Sequence, residues 1–340
     1  MSELQLGLLI VGALAVAGVI FYNRTQERRV RRTAEQAFTS RHPDVLLTAD
    51  PPARREPSLG PPPKPREEAA STPGEEDLPD GRLDYVVELS AEQPVAAAVM
   101  LEGWRGLERR FGRRALLAWR NEDGSWRRAL PGASGSQTRW RAALQLVSRN
   151  GVVGEAELIE FRSEIETLAA RAGAGVSAPE MREALDAARA LDRSCADADI
   201  QVAFHVVGAD AAGFANDAVI HALNTNGLAE QDRQRWTRSD ALGRELFAVL
   251  MESDQTDVVT RLTVTMDVPR TPDLRRSYES MVLLARDLAS TLGGALQDDN
   301  ARPLDEHALS AIGAQLEPVG RDLERQGFAP GGALALRLFS

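Results

Sequence analysis

Hydrophobic positions along the chain fall into three regimes. Residues 4–23 (LQLGLLIVGALAVAGVIFYN) carry no charged side chain. From about 40 to 82 large apolar residues are nearly absent outside Val45–Leu47, and beyond 83 they recur with strand and helix periods. At ~1.5 Å per residue the first run makes ~30 Å of helix, enough to cross a hydrocarbon core once. Arg24, Arg28, Arg29, Arg31 and Arg32 follow at once. A cleaved leader carries its basic residues before a shorter apolar stretch and its small-residue site after it. Here only Glu3 precedes the run, and Ala13–Ala15 lies inside it. The pattern predicts an uncleaved transmembrane helix over 4–23 and a basic juxtamembrane segment over 24–38. By the positive-inside rule the N-terminus lies outside and the remainder in the cytoplasm.

The second regime, 39–82, holds Pro43, Pro51, Pro52, Pro57, Pro61, Pro62, Pro63, Pro65, Pro73 and Pro79 among Arg, Glu and Asp. Such a stretch buries too little surface to offset its ordering entropy, so a disordered, proline-rich linker is predicted.

In the third regime LDYVVELS (83–90) alternates as a strand does. A helix is expected over Val95–Phe111, with Val99, Leu101, Trp104 and Leu107 as its apolar positions. Residues 114–130 read as a hairpin turned at Asp123–Gly124, and 140–148 as a strand. Residues 154–172 read as a helix with Leu158, Phe161, Ile165 and Leu168 on one face, and another helix follows Pro179. The same order then recurs: strand 199–207, helix 211–226, hairpin strands RQRWTRSD and RELFAVLME, strand 260–268, helix 272–292, and a last helix after Pro303. IETLAARAGAGV (165–176) aligns with ARDLASTLGGAL (285–296), and PEMREAL (179–185) with PLDEHAL (303–309). This internal repeat predicts two homologous α+β domains in tandem, at 83–197 and 198–340.

Charge narrows the function. The net charge is −10 despite the basic stretch after the apolar run, so the folded part is acidic and nucleic acid is not an expected partner. Cys195 is the single cysteine, which agrees with a reducing compartment. His42, His205, His221 and His307 are scattered, without an HExxH or CxxC companion. Gly132–Gly135 is not a nucleophile elbow, and no phosphate-binding loop is present. The chain is therefore read as a non-enzyme with no catalytic residue, metal, cofactor or small-molecule substrate.

The second repeat carries a resemblance. DIQVAFHVVGADAAGFANDAVIHALNTNGL and the stretch from TVTMDVP to HALSAI are similar to the C-terminal domain of the ZipA family. The matching features are the M-x-V-P strand end (Met266, Val268, Pro269), the helix ending in Gly293–Gly294, and Asp298–Asp299 before the last helix. The resemblance implies that each of the two tandem domains is an antiparallel sheet with helices on one face, and that the other face is open and in members holds a C-terminal peptide of FtsZ, the tubulin-like protein of the bacterial division ring. It further implies a single-pass inner-membrane protein that tethers FtsZ polymers, with 83–197 as a divergent first ZipA-like domain.

Alternation directs Leu262, Val264, Met266 and Val268 to the helices and Thr263, Thr265 and Asp267 to the open face. The FtsZ-binding candidates are Val206, Arg233, Arg235, Ala248, Leu250, Glu252, Thr263 and Thr265. The family pattern has an aromatic where this chain has Thr265 and a methionine where it has Arg233. That departure opens a charged mode of contact, through Arg233, Arg235 and Arg238, beside the apolar one. The alternative function is a membrane-anchored scaffold for another cytoplasmic partner, bound through the same face or through the first domain with Trp104, Trp119, Trp126 and Trp140.

Overall fold

Two antiparallel sheets, each backed by helices, organise the folded part of the chain. The computed structural model describes residues 78–208, 213–232, 234–255 and 258–340. The expected anchor, the juxtamembrane segment, nearly all of the linker and Arg233 lie outside the described residues. No helix of the described residues is long and apolar enough to cross a membrane.

The first half contributes β1 (Asp84–Ala96), α1 (Ala97–Phe111), β2 (Ala115–Arg120), β3 (Trp126–Arg128) and β4 (Ser136–Gln145). A two-strand ribbon follows, β5 (Val147–Ser148) with β6 (Gly151–Val152), then α2 (Glu155–Ala172), β7 (Ala174–Ser177) and α3 (Met181–Ala196). The sheet order is β3-β2-β4-β1-β7. Tyr85, Val87 and Leu89 of β1 and Trp140, Ala142 and Leu144 of β4 turn inward, onto Met100, Trp104, Leu107 and Phe111 of α1 and Leu158, Phe161 and Ile165 of α2. The buried stripe of α1 starts at Ala97 and Met100, leaving Val99 exposed. Trp104 and Leu107 are buried as expected and Leu101 packs partly buried against the core, so Val99 is the one expected position that faces outward.

The second half contributes β8 (Gln201–Gly208), β9 (Phe214–Ala215), α4 (Asn216–Thr225), β10 (Ala229–Asp232), β11 (Arg235–Ser239), β12 (Glu245–Gln255) and β13 (Val258–Asp267). Next come α5 (Leu274–Thr291), β14 (Gly294–Gln297), α6 (Glu306–Arg325) and α7 (Ala333–Leu338). Its sheet runs β10-β11-β12-β13-β8-β14. Phe204, Val206, Val249, Leu262, Val264 and Met266 face Tyr278, Met281, Ala285 and Leu288 of α5. Both long helices α2 and α5 are followed by a glycine at positive φ, Gly173 and Gly293, and then by a short strand that pairs with the first strand of its own sheet. Neither of these strands, β7 and β14, is among the elements that the hydrophobic pattern predicts.

The two halves differ in one respect that alignment does not show. Shifting β2, β3 and β4 by 120 residues lands them on β11, β12 and β13. In the second sheet those three lie in chain order, but in the first β2 sits beside β4 and β3 is on the outside.

The C-terminal residues tie the halves together. Leu309 and Leu316 of α6 belong to the second core, whereas Leu323, Phe328, Ala335, Leu338 and Phe339 belong to the first. Pro318, which removes one helical hydrogen bond, falls between the two sets. Gly331 makes the turn toward α7: its φ is 68°, its N–H donates to the Pro269 carbonyl at 3.0 Å, and a Cβ would meet the Pro272 nitrogen at 2.4 Å. Only glycine fits there. Arg337 then pairs with Asp84, whose side chain is fully buried, and Arg149 of the first half bridges Asp199 and Asp267 at 2.6 and 2.7 Å.

Candidate functional site

The face of the second sheet opposite α5 is the candidate contact surface, and cross-strand register fixes its membership. One row runs Arg235, Leu250, Thr263, His205 and Gln297 across β11, β12, β13, β8 and β14. The next runs Thr237, Ala248, Thr265 and Ala203, and a third Glu252, Arg261, Val207 and Ala295. Adjacent strands lie ~4.8 Å apart, so each row presents side chains within touching distance.

Small side chains line the second of these rows, on one side of the Leu250 row: Thr237 and Ala248 are buried and Thr265 half-buried. Leu250 stands above them, 38% exposed, as the large apolar side chain this face offers to a partner. Gln231 covers the β11 end, its amide donating to the Thr237 hydroxyl at 3.1 Å. At the other end His205 Nε2 lies 2.7 Å from Asp299 Oδ1, and His205 Nδ1 3.0 Å from the Thr263 hydroxyl. Asp298 shapes the loop that brings Asp299 there. The Arg302 and Asn300 amides donate to its carboxylate, the Arg302 bond being the larger cause, and hold it below the usual carboxylate range. Thr263 is buried beneath His205 and donates to Glu252 at 3.4 Å. The Arg149–Asp267 pair closes the far edge.

Six of the eight candidates are on this face: Arg235, Ala248, Leu250, Glu252, Thr263 and Thr265. Arg233 lies outside the described residues. Val206 is a correction. It pairs with Leu262, is fully buried, and belongs to the core under α5, so it takes no part in the open face. Alternation of Val202, Phe204 and Val206 carried that information, since their intervening neighbours Ala203, His205 and Val207 must then point the other way. Those neighbours, with Gln297 and Arg261, were missed.

The charged mode of contact is also altered. Arg235 Nη2 donates to both oxygens of Glu245, at 2.6 and 2.8 Å. Arg238 turns to the helix side and donates to the Asn226 carbonyl just past α4. What this face leaves exposed is Leu250, beside the buried small side chains of Ala248 and Thr263 and the half-buried Thr265.

Residues 201–315 match the family model of the ZipA C-terminal FtsZ-binding domain. The second sheet domain is ZipA-like. The matched stretch begins with β8 and ends inside α6, so it contains every row of the open face and neither the first domain nor α7. No curated protein matches the chain.

Proposed function

We propose that this chain is a membrane anchor of bacterial cell division, holding FtsZ polymers at the inner membrane through the open face of its ZipA-like domain. The observation that carries the reading is Leu250, exposed on the helix-free face of a domain whose family binds FtsZ. Residues 4–23 serve as the span and 39–82 as the tether, with the folded part on the cytoplasmic side. A weak contact repeated along a polymer, each site held near the membrane by its tether, gives strong attachment by effective concentration. The function is binding and requires no catalytic group.

The exposed Leu250 favours an apolar contact over a charged one, because Arg235 is already neutralised by Glu245 and Arg238 faces away. Titrating a labelled FtsZ C-terminal peptide against residues 78–340 tests this. Leu250→Asp is expected to weaken binding at least ~10-fold, about 1.4 kcal/mol. Arg235→Gln is expected to change it little, and salt to matter little. Failure of the unchanged protein to bind the peptide would remove FtsZ as the partner.

A further inference from the structure

The first sheet has an open face of its own, with a chemistry the second lacks. Trp126 of β3 stands opposite Arg120 of β2, and Arg139 of β4 occupies the next place in the same row, opposite Ser90 of β1. One row along, Ala118, Arg141 and Glu88 lie side by side. The Arg141 guanidinium sits 4.0 Å from the centre of the Trp126 ring, and its Nη2 donates to Glu88 at 2.7 Å. Arg120 spends one donor on the Gly124 carbonyl, at 3.1 Å. Arg139 is exposed and has no partner among the described residues. Together these side chains border a depression of about 270 Å3. Three guanidiniums meet one carboxylate there, a local excess of positive charge on a chain of net charge −10.

We infer that this face is a second docking surface, for an extended acidic peptide of a protein partner, its carboxylates on Arg120 and Arg139 and its carbon chain along the edge of Trp126, while Arg141 is held by Glu88 and the Trp126 ring. Charge complementarity selects an acidic ligand. Planar guanidiniums bind carboxylates in two-point fashion, which a lysine patch would not do. Trp126 supplies a half-buried aromatic surface at the edge, where such contacts usually anchor, whereas Trp104, Trp119 and Trp140 are all core. The face lies outside the ZipA-matched stretch and does not depend on what the second sheet binds.

The test is fluorescence polarisation of labelled hexaglutamate with the full-length chain. Saturable binding is expected, falling at least ~10-fold in Arg120→Gln with Arg139→Gln, and steeply between about 50 and about 300 mM salt. Trp126→Ala is expected to weaken it as well, and Leu250→Asp on the other sheet to leave it unchanged. Circular dichroism melts confirm that each variant is folded, and the single Arg139→Gln variant, at an unpartnered surface position, gives the answer should the double variant misfold. Absence of saturable binding overturns the proposal, as does binding that these variants do not move. Phosphatidylglycerol vesicles bound through the same arginines, with hexaglutamate ignored, would overturn it in favour of a membrane surface.

Discussion

One step along β8 separates core from contact surface: Val206 is fully buried, while His205 reaches Thr263 and Asp299 on the other side. Exchange of Val206 for Asp would bury an uncompensated carboxylate and unfold the domain instead of reporting on binding. Cys195 shows the same dependence on position. It is buried in the first core, and burial pushes its thiol up to about 11. The thiolate is the reactive form, so the native chain is nearly inert to thiol reagents near neutral pH. Dithionitrobenzoate is expected to label Cys195 only as the first core opens, within seconds in denaturant and far more slowly in buffer. Rapid labelling of the native chain would show that the thiol is accessible.

At the level of elements, the C-terminal segment is the unusual part. It leaves the ZipA-like domain through α6 and completes the hydrophobic core of the other with Phe328, Leu338 and Phe339. Its carbonyls are held from both sides, by Arg270 Nη1 on Leu336 and Phe339 at 3.2 and 3.0 Å and by Gln145 Nε2 on Arg337 at 2.9 Å. Arg337 faces Asp84, and removing one partner of a buried pair costs ~3–5 kcal/mol because the other charge is left stranded. Arg337→Ala is therefore expected to lower the stability read by urea unfolding by about 3 kcal/mol. Deleting 326–340 is expected to speed Cys195 labelling at least ~10-fold. A truncated chain with unchanged labelling would mean that the first core stands without this segment. For the same reason residues 83–197 and 198–340, cut apart, are not equivalent to the two halves in place.

For the whole molecule, the proposed role rests on orientation: span first, basic residues next, folded part in the cytoplasm. A periplasm-active phosphatase fused after Ser340 should remain silent in cells, and the same enzyme fused before Met1 should be active. Activity at Ser340 would overturn the tether along with the topology. The sequence by itself determined the elements whose signal is local. Alternation marked β1 and β13, the 3.6-residue stripe marked α2, and Asp123–Gly124 marked the β2–β3 turn. The α+β class and the ZipA likeness followed from these in order. Tertiary structure alone decided the rest. The exchanged places of β2 and β3, the crossing of the C-terminal segment into the first core, and the pairing of Arg235 with Glu245 join residues far apart in the chain or set strands side by side. Periodicity states which face of an element is apolar, but not which neighbour buries that face or which charge meets an arginine. Those outcomes depend on packing many elements at once.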